Sequence, residues 1–557
     1  MSYYDVHAVP GELFTSRIER VYQADFTLME GDPAEKFLDS RISVPDTSAI
    51  ENHILARSWL TDCLRFHKSC PRSPSGPLPT RVIEVSPSKN PRVVRLHIAS
   101  AGEHGRYVAL SYCWGGRKPT LTTKETLARN MSSITVSTLS KVIQDAIECT
   151  RKLWIPFLWV DSLCIVQDSN EDKRREIAKM DSIFSGAIVT ISAAAARNCE
   201  ESFYIYRQEM ANLQAERSNS LPFRGPDGNL GRLFLVPVKK DLTYEYLTDP
   251  IYKRGWTYQE RVLSPRLLTF GLERISWDCV TSSRCDVARG IRGTLEPYTD
   301  LHRLLNAATR PAIAVDEVSE LWRSVVEEYT RCELTVPSDK LPALSGCAAR
   351  FGSLLADEYI AGLWTGDVIL GSMWYVNRRH KTRARLHCPS WSWASVSAEV
   401  WYSKPDIGES WDITAEYIEH NIKKISGWTL YGAVEEATLS LRGHIRSIRW
   451  AELTDWFTVR WISDEDWQNS KKIGKIIPDK RSWLKAFDLG LGSPEPRMDY
   501  YLLELTRLRL RRNGLVLIGG EGGCFKRVAY FKIYTQLLDR NPQVLKAGWE
   551  MQTVTIS

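Results

Sequence analysis

Two short constellations in this chain carry residue types that do chemistry. The first is Trp256-Thr257-Tyr258-Gln259-Glu260, flanked by Arg254 and Arg261 and followed by Ser264-Pro265. Residues four apart share a helix face, so Trp256 and Glu260 can line one wall of a pocket. A carboxylate there can hold hydroxyls or stabilise developing positive charge. An indole can stack on a flat ligand, and an arginine can hold a phosphate. The same residues also read as plain structure, with Trp256, Leu263 and Leu267 anchoring a core and Glu260 pairing with Arg254 or Arg261. The second constellation is Cys63-x3-His67-x2-Cys70. Thiolates and imidazole suit zinc, but a closed structural site takes four ligands and only three are local. An amphipathic helix is the preferred reading, and no metal is expected.

Further candidates lie upstream. Ser111, Tyr112, Trp114 and Gly115 follow an apolar β-rich run, at the end of a strand where loops line the crevices of parallel sheets. Strand-end packing with Gly115-Gly116 as a turn explains them equally well. Asp161 sits near the end of "FLWVDSLCI", where an acid must be paired or face a polar pocket. Gln167 and Asp168 read as capping residues, and Glu176 and Asp181 as solvated helix-face charges. "GGEGG" (519–523) lacks the Lys-Ser/Thr ending of a phosphate loop and reads as a hairpin turn. "LTRLRLRR" (505–512) reads as a half-buried strand with a basic face. Signatures of common hydrolases and kinases are absent.

These residues need elements to hold them. "AIENHILARSWLTDCLRFHKSC" (49–70) has helical spacing at Ile54, Leu55, Trp59 and Leu60. "RVIEVS" and "RVVRLHIA" read as two strands around a turn. Strand 106–114, helix 139–153, strand 157–165, helix 170–187 (capped by Ser169 or Asn170) and strand "AIVTISAAA" then alternate. Such alternation predicts a parallel sheet covered by helices. Pro265 disfavours helical geometry at Ser264 and ends the helix that carries Glu260. Helical stretches follow at 299–307, 315–333 and 338–364, and β-rich segments beyond about 385. The expected division is an N-terminal segment 1–48, a helical lead-in with a strand pair 49–100, an α/β domain 101–290, a helical connector 291–385 and a β-rich region 386–557.

The bulk numbers agree with a globular chain of more than one core. There are 557 residues, 43% hydrophobic and 25% charged, a length at which single cores stop growing. A net charge of +6 spread over that length calls for neither nucleic acid nor an anionic membrane. Twenty tryptophans point to well-anchored cores. The twelve cysteines form no regular framework. No signal peptide and no membrane-spanning run are read, so the expected compartment is the reducing cytoplasm.

Three blocks in order, "YVALSYCWG", "LWVDSLCIVQDSNEDKRREIAKMDSIFSGA" and "RGWTYQERVLSPRLLTF", resemble the HET (heterokaryon incompatibility) domain of filamentous fungi. "WLTDCLRFHKSC", "LPTRVIEV", "SDKLPALSG", "YIAGLW", "PSWSWASV" and "GLVL" before "RVAYF" resemble its flanks, so the likeness spans roughly 50–550 and is most specific at 106–270. The resemblance implies nonself recognition and programmed cell death, although many members have no assigned role. It also implies a remote TIR-like relationship, hence a flavodoxin-like parallel sheet. Some TIR domains cleave NAD with a glutamate in Trp-Cys-x-x-Glu. Trp256 to Glu260 keeps that spacing, with Thr257 in the place of Cys. Nicotinamide leaves NAD as a neutral base, so one carboxylate suffices, unlike the pair used by ordinary glycosidases. The expectations are therefore Glu260 as catalytic acid and Ser111, Tyr112, Trp114, Gly115, Asp161, Arg254 and Trp256 as substrate-binding residues. NAD is expected as substrate rather than cofactor. The rival readings are a non-enzymatic signalling module that binds itself or another signalling protein, and an accessory role unrelated to incompatibility.

Overall fold

The computed structural model describes residues 44–72, 76–208, 220–237, 248–286, 313–376, 388–405, 408–425, 430–449, 474–479, 499–509, 511–534 and 548–557, with short pieces at 24–27, 33, 301–302, 304–306 and 457–458. Its N-terminal half is built on one mixed sheet. In chain order the strands are β1 (Arg81–Glu84), β2 (Val93–Ile98), β3 (Tyr107–Ser111), β4 (Ile134–Thr135), β5 (Phe157–Trp159), β6 (Val189–Ser192), β7 (Arg266–Phe270), β8 (Ile275–Cys279) and β9 (Ser283–Cys285). In space they run β9-β8-β7-β6-β3-β5-β1-β2-β4. The central four, β7-β6-β3-β5, are mutually parallel. Antiparallel strands extend both sides. The expected parallel sheet is thus corrected to a mixed one. Alternation of strand and helix marks only the crossover-connected strands, whereas β8 and β9 return by tight turns that need no helix.

Three of the four parallel strands are buried along their whole length: every residue of β3, β6 and β7 is buried, and in β5 only Phe157 is half-buried. That is what helices on both faces demand. Helix α1 (Ile50–Phe66) buries His53, Ala56, Trp59, Leu60 and Cys63 and leaves Ile54 exposed. Helix α2 (Lys141–Lys152) buries Val142, Ile143, Ala146, Ile147 and Cys149 at helical spacing.

Three local expectations change. The run 157–165 is strand only to Trp159; Asp161–Cys164 forms one helical turn. The single helix expected over 170–187 is two, α3 (Asn170–Ile177) and α4 (Met180–Gly186). They part at Lys179 (φ −102°, ψ 2°), whose Nζ donates to Thr80 Oγ1 at 2.9 Å. Ser169, not Asn170, caps α3, accepting from the Asp172 amide at 3.3 Å. Glu176 is not solvated. It is buried and accepts from Thr80 Oγ1 at 2.9 Å and Lys179 Nζ at 3.3 Å. Its neighbour Asp172 is buried on Arg81 and on the Val166 amide at 2.8 Å. Asp181 is half-buried rather than solvated.

Helix α5 (Gly255–Leu263) ends the long connection from β6 to β7, which also holds the strands Ser220–Arg224 and Leu230–Pro237 of a separate small sheet. Gly255 opens α5 in a tight place: a Cβ there would sit 2.6 Å from Leu334 Cδ2. Ser264 is extended (φ −77°, ψ 119°), as the following proline requires. Its hydroxyl lies 2.6 Å from the Glu260 carbonyl, satisfying an acceptor that the helix end leaves open.

Further along, α6 (Val315–Tyr329) fills most of the helical stretch expected at 315–333, whereas only α7 (Ser345–Leu355) is α-helical within 338–364. Within 338–364 the helix α7 is flanked by 3-10 turns and the hairpin Tyr359–Ile360/Leu363–Trp364. Much of the tryptophan content is spent here: Trp322, Trp364, Trp374, Trp391 and Trp393 are all fully buried. Of the expected stretch 299–307, residues 301–302 and 304–306 are described, and they are helical. The C-terminal region is β-rich as expected, a second nine-stranded sheet with long strands Val434–Ile448, Tyr500–Leu508, Arg511–Gly519, Phe525–Tyr534 and Glu550–Ile556. "GGEGG" does form the turn between two paired antiparallel strands. Among the described residues no helix is long and apolar enough to cross a membrane.

Candidate functional site

Strand order decides where a site can form. From β3 the chain crosses one way to β5, then back over β3 to β6, and onward to β7. The direction of winding reverses between β3 and β6, and ligands of open α/β sheets bind beyond the carboxyl ends of the strands at such a reversal. Ser111 ends β3 and Ser192 ends β6, and the two are register partners.

Helix α5 delivers Glu260 to this point. The Ser111 hydroxyl donates to Glu260 Oε2 at 2.5 Å. Glu260 is 9% exposed, and burial pushes its carboxyl from 4.5 up to about 8; the Ser111 hydrogen bond opposes the rise, the Asp161 charge adds to it and the Arg254 charge opposes it. Neither arginine forms the ion pair considered for this acid. Arg261 turns its guanidinium over the Tyr252 ring at 4.6 Å and Tyr258 at 5.4 Å. Arg254 is half-buried at the start of α5, with its backbone bridged to Glu333. Its charge acts on Glu260, Asp161 and Cys113.

A second acid stands beside the first. Asp161 Oδ2 accepts from the Trp114 indole N–H at 3.0 Å, and its Oδ1 accepts from the Ser162 amide at 2.6 Å. Burial lifts its carboxyl above the usual range, against hydrogen bonds from Tyr112, Ser162 and Trp114. Tyr112 is buried and its hydroxyl lies 3.1 Å from Ser162 Oγ. Gly115 has φ +66°, and a Cβ there would meet Asn198 Cβ at 2.2 Å, so the turn after Trp114 needs glycine on two counts. The expected cappers are used otherwise. Gln167 Nε2 donates to the Asp161 carbonyl at 3.0 Å, and Asp168 Oδ1 accepts from the Lys124 amide at 2.9 Å.

Trp256 and Glu260 take different partners. The Trp256 indole N–H donates to Asp339 Oδ2 at 3.1 Å, while Gln259 Oε1 accepts from the Gly346 amide at 2.6 Å. Part of α5 is therefore tied to the segment 339–346, and Glu260 reaches the sheet. The structure thus joins Ser111 with Glu260 and Trp114 with Asp161, and couples both acids to Arg254 by charge. Two neighbours escaped the sequence reading. Buried Cys113, with its thiol pushed up to about 11 by burial, feels the charges of Arg254 and Glu260. Asp339 offers no signal in the sequence beyond being an acid in a loop.

Residues 107–260 match the family model described as heterokaryon incompatibility protein (HET). The chain carries a HET domain. The HET match opens on the first residue of β3 and closes on Glu260 itself, so it contains Ser111, Tyr112, Trp114, Gly115, Asp161, Arg254 and Trp256. No curated protein and no solved structure matches the chain.

Metal-type donors also gather away from these acids. Cys63, His67 and Cys70 are joined by Cys279, with all four donor atoms within 4.8 Å of one another.

Proposed function

We propose that this HET-domain protein is an effector of incompatibility-type cell death that acts by NAD glycohydrolase chemistry at Glu260. The observation that carries the reading is the Ser111–Glu260 contact at the reversal point between β3 and β6. The parallel strands, numbered along the chain, lie in the order 2-1-3-4. That order belongs to flavodoxin-like sheets, which supports the TIR-like reading of the domain.

The reaction needs one acid. Water adds to the ribose C1′ and gives one proton to solvent, the C1′–N bond breaks, its electron pair returns to the pyridinium nitrogen and neutral nicotinamide leaves. Ionised Glu260 would hold the ribose hydroxyls and stabilise the oxocarbenium charge. An acid raised by burial ionises when a cationic ring arrives beside it. Arg254 would hold a phosphate, and Trp114, steered by Asp161, would offer an aromatic face. The cytoplasm, which contains NAD, is the compartment this chemistry calls for.

A second reading has its own support. The Trp256 N–H is engaged by Asp339 and Glu260 is nearly closed off, as in a signalling module that binds its own kind or another signalling protein without turnover. An accessory role unrelated to incompatibility is the weakest reading. The deciding experiment incubates the full chain and Glu260→Gln with NAD and follows free nicotinamide. Release by wild type and none by the variant is expected. Equal release by both would move the activity elsewhere. No release by either, with activity absent also when the protein is made to induce death in cells, would leave the signalling reading.

A further inference from the structure

We propose that Cys63, His67, Cys70 and Cys279 form a structural zinc site that ties the lead-in helix α1 to the edge of the nine-stranded sheet. Cys63 lies in the last turn of α1, His67 is its C-cap residue and Cys70 ends the turn that follows. Cys279 is the last residue of β8. His67 and Cys279 are 212 residues apart in the chain, yet His67 Nδ1 lies 3.3 Å from Cys279 Sγ. His67 Nδ1 lies 3.9 Å from Cys70 Sγ. A tetrahedral zinc ion with Zn–S of about 2.3 Å and Zn–N of about 2.0–2.1 Å sets edges of about 3.5–3.8 Å between its ligand atoms. The two His67 distances bracket that range, and all four donor atoms lie within 4.8 Å of one another.

The surroundings favour a dication held by thiolates. Cys63, Cys70 and Cys279 are buried and His67 is half-buried, and none of the cysteines is in a disulfide. Three thiolates, one imidazole and Zn²⁺ leave one net negative charge. Arg266 Nε donates to Cys63 Sγ at 3.1 Å, which balances it. Thr281 Oγ1 lies 3.4 Å from Cys70 Sγ, and Ser282 Oγ lies 3.5 Å from Cys279 Sγ. Ligand sulfurs with hydrogen-bonding partners of this kind are the outer shell that orients metal ligands. Four protein ligands leave no open coordination position, so the site holds structure rather than activating water. Sulfur-rich, tetrahedral donor sets select zinc over calcium, magnesium or manganese.

The test is metal content of the full chain, purified without chelator and without a metal-affinity step. About one zinc per chain is expected to survive dialysis and to be released by a thiol-reactive mercurial. Replacement by Co²⁺ should give strong thiolate-to-metal charge transfer, and X-ray absorption should show a sulfur-dominated shell. Cys279→Ser should lose most of the zinc; if it fails to fold, the wild-type spectra still decide. The proposal is overturned if zinc is absent and cannot be bound when added. It is also overturned if the bound metal shows only oxygen and nitrogen neighbours, or if mass mapping finds these cysteines in a disulfide.

Discussion

The Ser111 hydroxyl sits 2.5 Å from Glu260 Oε2 although 149 residues separate the two. The contact joins the C-terminal end of β3 to α5 and places a raised carboxyl where strand order reverses. In the folded chain Glu260 holds its proton to about pH 8, whereas an exposed glutamate releases it near 4.5. The folded state therefore binds more protons than the unfolded state between those values. The stability this group contributes is fully present below 4.5 and is lost as pH rises through about 8, at up to about 1.4 kcal/mol per pH unit. Chemical denaturation of wild type and Glu260→Gln across this window should show a shallower slope in the variant. Equal slopes would remove Glu260 as the source.

If Glu260 acts as an ionised catalytic carboxylate, kcat/KM for NAD should rise about tenfold per pH unit up to about 8 and then level off. That profile is read from initial rates of nicotinamide release. A flat profile would mean that the acid is already ionised or is not used.

Ser111→Ala removes the hydrogen bond that holds the Glu260 carboxyl down. The midpoint of the pH–rate profile should move upward, and Ser111→Thr should restore it. A purely structural role for Ser111 would lower the rate without moving the midpoint.

The turn after β3 allows a paired comparison. Gly115 and Gly116 both have positive φ, but only Gly115 has a neighbour in the way, Asn198 Cβ at 2.2 Å from an added Cβ; Gly116 has nothing within 4 Å. Gly116→Ala should cost about 1–2 kcal/mol, the strain of a left-handed residue. Gly115→Ala should cost clearly more. Thermal or denaturant unfolding measures both, and equal costs would refute the steric part.

Deep in the second sheet, Arg527 has a fully buried guanidinium. It pairs with Asp479 Oδ2 at 2.9 Å, donates to the Ser372 carbonyl at 2.7 Å and lies 3.4 Å over the Trp374 ring. It therefore fastens the C-terminal sheet to the segment 372–376. Asp479→Asn leaves a buried cation without its charge partner and should destabilise by about 3–5 kcal/mol. A loss below about 1 kcal/mol, measured by denaturant unfolding, would show that solvent reaches the pair.

Much was legible in the sequence. The 3.6-residue spacing located α1 and α2, the apolar runs located β3 and β6, and Pro265 located the end of α5. The three ordered blocks marked the HET domain, and Cys63, His67 and Cys70 stood out by type and spacing. These signals share a property: each is set by neighbours a few residues away. What tertiary structure alone decided involves partners far along the chain. It set the order β7-β6-β3-β5, turned Arg261 to two tyrosines and gave Glu260 to Ser111. It also buried Glu176 under Thr80 and brought Cys279 beside Cys63, His67 and Cys70, some two hundred residues upstream. Local periodicity tells which face of an element is apolar. It does not tell which distant element will cover that face, because many strand orders bury the same residues and the free energy of closing a long loop depends only weakly on its length.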